Sequence, residues 1–115
     1  MGSKWVLTTW EEHGSFSLSG KSMAFISSRA DSSWAAPESK AGTLRTELYL
    51  MNQAGEVSRL TDFNAMGDPN KNYLTSDFDW DRAGKRIAFQ VAPVNKNTGT
   101  ADSPQIWILT FPEPQ

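Results

Sequence analysis

Three carboxylates at alternate positions are the clearest candidates for chemistry in this chain. Asp77, Asp79 and Asp81 are separated by aromatic residues, and alternate side chains of a strand point to one side of a sheet. The same spacing begins a calcium-binding loop, but Ala88 stands where such a loop has its closing glutamate. We therefore predict that these acids line a channel or a turn and hold no metal ion, with a calcium site as the alternative.

His13 is the only histidine, and the chain has no cysteine. A zinc site would therefore need carboxylates as its other ligands. A Ser-His-Asp triad is formally possible because serine is abundant, but no Gly-x-Ser-x-Gly motif positions a nucleophile. The sequence accordingly predicts no catalytic residues, and His13 is expected to be a loop residue that can contact a partner. An enzyme with a carboxylate site in a channel, such as a hydrolase, is the alternative.

Other predicted loops carry further candidate binding residues. Arg29 and Asp31 are two positions apart and are expected to form an ion pair that stabilises a turn, with a contact to a partner as the second possibility. Trp10 and Trp34 also fall in predicted loops. Loop tryptophans can anchor a protein partner or stack on a sugar, and they can also cover the sheet from which they emerge.

Composition makes several classes of partner unfavourable. The 115 residues fit one domain, and 38% hydrophobic and 21% charged residues are typical of a folded protein. The 11 basic and 13 acidic residues are intermixed, so no basic patch predicts binding to nucleic acid. No apolar run approaches the roughly 20 residues that span a bilayer, and no apolar stretch typical of an export signal follows Met1. No motif indicates a cofactor.

An internal repeat organises the chain. The segment 15–29 returns, altered, as 79–91, with an offset of 64 residues from Gly20 to Gly84. The matched residues are Phe16 with Trp80, Gly20-Lys21 with Gly84-Lys85, and Ala24-Phe25 with Ala88-Phe89. A second match, with an offset of 58, relates Leu48-Tyr49-Leu50 to Ile106-Trp107-Ile108. Repeats of this length indicate similar supersecondary units, so Phe25 and Phe89 are expected to be buried between such units.

β-Branched and aromatic runs between turn residues predict eight strands and no helix. The predicted strands are 5–9, 15–18, 22–27, 46–51, 57–61, 77–80, 86–91 and 105–111. The predicted connections include 10–14, 28–45, 62–76 and 92–104. The strands 22–27 and 46–51 are apolar on both faces, which is typical of strands buried on both sides.

The predicted strands form two units. The first unit, residues 15–61, has four strands, whereas the second, residues 77–111, has three. The segment 5–9 contains Leu7-Thr8, which matches Leu60-Thr61 at the end of the first unit. We therefore predict that the segment 5–9, from the same or a neighbouring chain, supplies the fourth strand of the second unit.

These residues resemble the TolB-type (WD40-like) β-propeller repeat. That repeat has an aromatic residue, Ser-Pro-Asp-Gly-Lys, an apolar-Ala-Phe strand, Ser-Asp-Arg, a strand of the type Ile-Tyr-Leu-Met, and Leu-Thr. In the first copy of this chain, the matching residues are Phe16-Ser17, Gly20-Lys21, Met23-Ala24-Phe25, Ser27, Arg29, Leu48-Tyr49-Leu50-Met51, Gly55 and Leu60-Thr61. In the second copy they are Trp80, Gly84-Lys85, Ile87-Ala88-Phe89 and Ile106-Trp107. The proline and aspartates of the pattern are replaced by Leu18, Ser19 and Ser28 in the first copy and by Arg82 and Ala83 in the second.

The resemblance covers about residues 5–111 and implies an all-β fold of two four-stranded antiparallel propeller blades. Such a pattern defines a blade and not an activity. TolB-like proteins are periplasmic, so the resemblance implies that compartment. Because propellers of this family usually have six blades, two blades per chain imply a homotrimer that completes one ring. The alternative is that the chain is a piece of a longer propeller.

We therefore expect a single domain that acts as a non-enzymatic binding or scaffold module, with itself and possibly another protein as partners. Two apolar sheet faces, too large to remain in water, favour self-association. The alternative is a lectin-like propeller that binds a glycan or another small ligand through its loop and inter-blade tryptophans. The predicted binding residues are His13, Arg29, Asp31, Trp34, Asp77 and Asp79.

Overall fold

The chain folds into an almost entirely β architecture, as the sequence predicts. The structure is a computed structural model that describes residues 10–31 and 44–115. Its elements are β1 (Glu11–Phe16), β2 (Ser22–Ser27), β3 (Glu47–Asn52), β4 (Val57–Arg59), α1 (Phe63–Met66), β5 (Lys71–Trp80), β6 (Arg86–Asn95) and β7 (Gln105–Thr110). The predicted strand 5–9 lies outside the described residues, as does most of the predicted connection 28–45.

Two antiparallel sheets make up the described structure. Sheet 1 has the strand order β1-β2-β3-β4, and sheet 2 has the order β5-β6-β7. Within residues 10–31 and 44–115, no further strand pairs with β7. Sheet 2 therefore has three strands there, in agreement with the predicted second unit, and β7 is its edge strand.

The 64-residue repeat is a repeat of structure as well as of sequence. Gly20 and Gly84 both adopt the left-handed conformation, with φ of 76° and 69°, which glycine takes without steric cost. Each donates its N–H to the carbonyl three residues earlier, Ser17 at 2.9 Å and Asp81 at 3.1 Å. The two turns therefore join their strands in the same way.

Strand pairing extends this equivalence across each sheet. Phe25 pairs with Tyr49 in sheet 1, and its counterpart Phe89 pairs with Trp107 in sheet 2. Tyr49 and Trp107 are the central residues of the 58-residue match. Both repeat offsets therefore describe equivalent positions in the fold.

Each sheet has two faces, which we name after residues of β2 and β6. The Ala face consists of Ala24, Ile26, Leu48 and Leu50 in sheet 1 and of the equivalent Ala88, Gln90, Ile106 and Ile108 in sheet 2. The Phe face consists of Phe16, Met23, Phe25, Tyr49 and Met51 in sheet 1 and of Trp80, Ile87, Phe89, Trp107 and Leu109 in sheet 2. The alternation of side chains along a strand separates the two sets.

The core lies between the Ala face of sheet 1 and the Phe face of sheet 2. Its buried members are Ala24, Ile26 and Leu48 from sheet 1 with Ile87, Phe89, Val91 and Phe111 from the second half of the chain. The two sheets thus pack head to tail, through faces that are not equivalent. The Phe face of sheet 1 and the Ala face of sheet 2 point away from this core.

Phe25 and Phe89 are both buried, with 7% and 4% of their surfaces exposed. Phe89 belongs to the cluster between the two sheets, so its predicted location is confirmed, whereas for Phe25 the burial is confirmed and the location between blades stays a prediction. Phe25 stacks on Tyr49 with ring centroids 5.7 Å apart, and the Arg29 guanidinium lies 4.9 Å from its ring centroid. Equivalent positions have different neighbours because the sheets pack head to tail.

Three predicted connections contain regular structure. β1 begins at Glu11, inside the connection 10–14, and the connection 62–76 contains α1 and the first half of β5. The connection 92–104 contains the end of β6, including Pro93. Pro93 O accepts a hydrogen bond from Asp102 N–H at 2.8 Å, so its nitrogen points to the same edge, away from β5. The missing N–H therefore interrupts no pairing with β5.

A buried carboxylate explains why α1 forms. Glu47 in β3 is 2% exposed and accepts hydrogen bonds from the Phe63 and Asn64 N–H groups, the Asn64 side-chain amide and the Thr61 hydroxyl, at 2.8–3.0 Å. An anionic acceptor satisfies backbone donors that a helix start leaves unpaired. Glu47 is distant from α1 in sequence, so local patterns do not predict this helix.

Polar contacts next to α1 fix sheet 2 against sheet 1. Asn64 accepts a hydrogen bond from Tyr73 N–H at 2.7 Å and donates to the Thr46 and Tyr73 carbonyls. The buried Thr46 hydroxyl donates to Thr75 O at 2.9 Å and accepts Thr75 N–H at 2.8 Å. These bonds set the position of β5 relative to β3.

Candidate functional site

His13 and Asp77 are the predicted site residues that the fold brings together. His13 Nε2 lies 3.6 Å from Asp77 Oδ1 and 3.8 Å from Glu12 Oε2. The His13 and Asp77 side chains are 48% and 75% exposed, so a partner can reach both. They form a polar pair on the seam where β1 of sheet 1 meets β5 of sheet 2.

A β-bulge that occurs in both sheets places these two residues. The pairing of β1 with β2 shifts within residues 12–15, and the pairing of β5 with β6 shifts within residues 76–78. His13 lies in the first bulge with a φ of 55°, in the left-handed region that few residues other than glycine adopt. Asp77 lies at the equivalent place in the second bulge. Bulges re-aim side chains at the edges of sheets, and here they direct the same repeat position of both units to one seam.

Arg29 lies against the Phe face of sheet 1. Its guanidinium donates to Glu11 Oε1 at 2.8 Å and to Ser27 Oγ at 3.1 Å. The same group sits over the rings of Phe25 and Tyr49, at 4.9 and 5.3 Å from their centroids. Arg29 therefore covers two aromatic rings that would otherwise face solvent.

The predicted ion pair between Arg29 and Asp31 is wrong, because both residues have other partners. Asp31 is buried and accepts two hydrogen bonds from the Arg45 guanidinium, at 2.6 and 3.0 Å. This hydrogen bonding raises the pKa of Arg45. A fork of two parallel bonds to one carboxylate is a strong geometry for arginine, and Arg45 reaches it from across the loop.

The three alternate acids do not converge on one point. Asp77 lies at the seam, whereas Asp79 pairs with Ala88 and therefore borders the Ala face of sheet 2. Asp81 accepts hydrogen bonds from the Lys85 and Arg86 N–H groups at 2.8 and 3.1 Å. In the part of the chain that the structure describes, no group of three histidine or acidic side chains could hold a metal ion.

Asp81 gives the second turn a pH dependence that the first turn lacks, since Ser17 stands at the equivalent position. Hydrogen bonds from Arg86 N–H lower the pKa of the Asp81 carboxyl below its usual 3.8. A carboxyl with a lowered pKa stabilises the folded state above the unfolded pKa, and this stabilisation is lost as the pH falls through the folded pKa. Asp81→Asn is therefore expected to lower the Tm at about pH 6 and to have much less effect at about pH 2.

Asp81→Ser is the matched control, because it reproduces the first turn, in which Ser17 Oγ accepts Ser22 N–H at 3.4 Å. Its Tm at about pH 6 is expected to be no higher than that of Asp81→Asn, because the amide keeps an acceptor oxygen at the place of the carboxylate and the serine hydroxyl makes a longer bond. Thermal unfolding followed by circular dichroism at both pH values provides the measurement. An equal Tm difference between wild type and Asp81→Asn at both pH values would contradict the assigned role.

The predicted loop tryptophans are described only in part. Trp34 lies outside the described residues. Trp10 is 43% exposed, and its backbone exchanges hydrogen bonds with Ser28, since Trp10 N–H donates to Ser28 Oγ at 2.7 Å and Ser28 N–H donates to Trp10 O at 2.8 Å. Trp10 is therefore held at the start of β1.

An apolar groove of about 520 Å³ lies between α1 and β7, and the sequence did not indicate it. The Phe63 and Trp107 rings meet edge to face with centroids 5.1 Å apart, and Met66 at the rim is 83% exposed. The sequence predicted residues 62–76 as a connection and did not indicate α1. No sequence pattern therefore placed Phe63 and Met66 beside the last strand.

Three of the exposed large apolar side chains lie on the two sheet faces that point away from the core. Ile106 and Ile108 on the Ala face of sheet 2 are 69% and 59% exposed, and Phe16 on the Phe face of sheet 1 is 65% exposed. Single exposed apolar residues are normal, but neighbouring ones on a sheet face typically mark an interaction surface. The repeat offsets would have identified these residues, because they match positions that are covered in the other sheet.

Comparisons with known proteins identify no family for this chain. No protein-family model matches it, and neither the curated proteins nor the solved structures include a significant match. Residues 10–31 and 44–115 define a mostly β protein and form two packed antiparallel sheets there, one of four strands and one of three. Among the described residues, no helix has the length and apolarity needed to cross a membrane.

Proposed function

We propose that the chain is a non-enzymatic β-propeller scaffold module for protein–protein interaction, and that its first partner is a second copy of itself. The observation that most supports this is the head-to-tail packing of sheet 1 on sheet 2. Each sheet uses one kind of face for the contact inside the chain, which leaves Ile106 and Ile108 on the Ala face of sheet 2 and Phe16 on the Phe face of sheet 1 exposed for further contacts. A heterologous contact of this type continues from copy to copy until a ring closes.

Three copies are the assembly that we propose. Propellers have about four to eight blades, so two, three or four chains of two blades each would satisfy that range. The TolB-type resemblance favours six blades and hence the trimer. Burial of Ile106 and Ile108 would supply part of the driving force, since removing apolar surface from water is favourable.

The edge of β7, which no strand pairs with in residues 10–31 and 44–115, supports a second element of this assembly. In sheet 1, the chain after β4 covers the edge of β3, where Leu60 N–H donates to Leu48 O at 2.8 Å and Thr61 Oγ1 accepts Leu48 N–H at 2.9 Å. Leu7-Thr8 repeats this Leu-Thr pair in sequence. We therefore propose that residues 5–9 of a neighbouring copy add a strand to β7, which would remove an exposed sheet edge.

Light scattering on the purified protein tests the assembly. The expected mass is three times 12.8 kDa. Deletion of residues 1–9 is expected to dissociate the trimer, because the β7 edge then lacks its added strand. Replacing residues 5–9 with glycine and serine at equal length is the matched control for chain length, and it should have the same effect as the deletion.

The outcomes separate the two parts of the proposal. A wild-type monomer at high concentration would contradict self-assembly and with it the scaffold function. A trimer that survives both the deletion and the replacement would contradict strand addition alone.

A further inference from the structure

We infer that two copies of this chain meet through the same pair of faces that meet inside it, the Ala face of sheet 2 of one copy against the Phe face of sheet 1 of the next. This inference rests on the proposed self-assembly and specifies its surface. It commits to a second copy of the chain as the occupant of both faces.

The first observation is the contrast between equivalent residues of the two Ala faces. Leu48 is fully buried by the contact with sheet 2, whereas its counterpart Ile106 is 69% exposed. Ala24 is likewise fully buried, and its counterpart Ala88 is exposed. The sequence thus keeps apolar residues at three of the four Ala-face positions of sheet 2, with Gln90 at the fourth, although in the described part of the chain Ile106 and Ile108 stay exposed.

The Phe faces show the reverse contrast at one position, that of Trp80 and Phe16, whereas Phe25 and Tyr49 of sheet 1 are already buried beside Arg29. Trp80 in sheet 2 stacks on Phe111 with centroids 5.6 Å apart, and its indole N–H donates to Ser15 O of sheet 1 at 3.0 Å. Its counterpart Phe16 in sheet 1 is 65% exposed. The repeat position that makes the internal contact in sheet 2, as Trp80, is therefore occupied in sheet 1 by an exposed side chain, Phe16.

The Phe face of sheet 1 also has a shape that can receive apolar side chains. A depression of about 380 Å³ lies there, with Met23, Phe25, Met51 and Val57 as its apolar lining and Glu11, Glu12, His13 and Arg29 as its polar lining. Methionine side chains adapt to the shape of a partner. On the Ala face of sheet 2, the exposed Ile106 and Ile108 of the edge strand β7 provide apolar side chains that match this surface.

The polar seam agrees with the same arrangement. His13 and Asp77 are equivalent positions, and they lie 3.6 Å apart inside the chain. Applying the sheet-to-sheet relation once more brings Asp77 of one copy beside His13 of the next. Each Asp77 would then lie between two histidines, whose ring N–H groups can donate hydrogen bonds to its carboxylate.

A second copy is the partner that these features specify, because the two faces are complementary and lie on the same chain. Two identical Ala faces or two identical Phe faces never meet inside the chain. The arrangement therefore predicts a heterologous interface, in which one chain contributes one face and its neighbour contributes the other.

Two single substitutions, each on one face, test this inference. Ile108→Asp places a charge on the Ala face of sheet 2, and Phe16→Asp places one on the Phe face of sheet 1. Each variant alone is expected to be a monomer of 12.8 kDa, because a buried unpaired charge opposes the contact. An equimolar mixture is expected to form a dimer of twice 12.8 kDa, since each variant retains the face that the other lacks.

Leu18→Asp is the matched control, because Leu18 is 75% exposed but lies in the turn and on neither face. This variant is expected to keep the wild-type mass. Ile106→Asp repeats the test of the Ala face at a side chain that is 69% exposed, which guards against a folding defect specific to Ile108→Asp. Far-UV circular dichroism identifies any variant that is not folded.

The results distinguish this inference from the proposed function. If the wild type is a monomer, the proposed function fails, and the inference fails with it. If the wild type assembles and the folded Ile108→Asp and Ile106→Asp variants keep its mass, the assembly uses other surfaces and only the inference is overturned. Variants that become monomers but do not pair on mixing would also overturn it, because each retains the face that the other lacks and the proposed contact should then form.

Discussion

Phe89→Ala is expected to lower the free energy of unfolding by about 3–5 kcal/mol, the usual cost of truncating a buried phenylalanine. Phe89 is 4% exposed and belongs to the cluster between the two sheets. Its ring meets the Phe63 ring edge to face at 6.2 Å, so the substitution leaves a cavity and removes an aromatic contact. Phe25→Ala is expected to cost a comparable amount, because Phe25 is 7% exposed and stacks on Tyr49.

Urea unfolding measures both losses. Measurements in the Ile108→Asp background prevent assembly from adding to the apparent stability. Leu18→Ala is the matched control, because Leu18 is 75% exposed and its truncation should change the free energy of unfolding by no more than about 0.5 kcal/mol. A loss below about 1 kcal/mol at both phenylalanines would mean that the strand register is wrong.

Glu47→Ala is expected to cost roughly 3–5 kcal/mol, similar to breaking a buried charged interaction. Glu47 is 2% exposed and accepts four hydrogen bonds from the segment that contains α1. Removing the carboxylate leaves these donors without their acceptor, and each buried donor that stays unpaired costs about 1–3 kcal/mol. Relaxation of α1 towards solvent recovers part of this sum, so the total is smaller than four separate penalties.

Glu47→Gln separates the charge of this side chain from its shape. The amide keeps one acceptor oxygen but turns an N–H₂ group towards other donors, so its cost should be smaller than that of Glu47→Ala and still measurable by urea unfolding. Glu113→Ala removes an exposed carboxylate and serves as the control, with an expected change within about 0.5 kcal/mol. A cost for Glu47→Ala no larger than this control would show that the network does not stabilise the junction of the two sheets.

These two predictions concern the same feature of the molecule, the rigid placement of sheet 2 on sheet 1. Phe89 fills the apolar part of that contact, and Glu47 positions α1 and Asn64 at its polar end. If either is weakened, the angle between the sheets should become variable, and a ring that closes after a fixed number of copies would lose its defined size. Light scattering of Glu47→Gln, the milder change, is therefore informative about assembly as well as stability.

Local patterns determined the repeat unit of this protein. The strands β2 and β3 lie where the runs of apolar residues predict them, and the turns at Gly20 and Gly84 lie where glycine permits a positive φ. The 64- and 58-residue offsets also matched positions in register across both sheets. Such features are accessible to sequence reasoning because alternation and turn conformation depend on residues that are close in the chain.

Only the tertiary structure decided which parts of the two units touch. Glu47 induces α1 from a separate strand, Arg45 replaces Arg29 as the partner of Asp31, and a pair of bulges brings His13 to Asp77. The head-to-tail packing is likewise not determined by local sequence. The repeat makes both sheets alike, so no local pattern indicates which face of one sheet meets which face of the other. Such choices depend on contacts between residues far apart in sequence, and those contacts exist only once the sheets are packed.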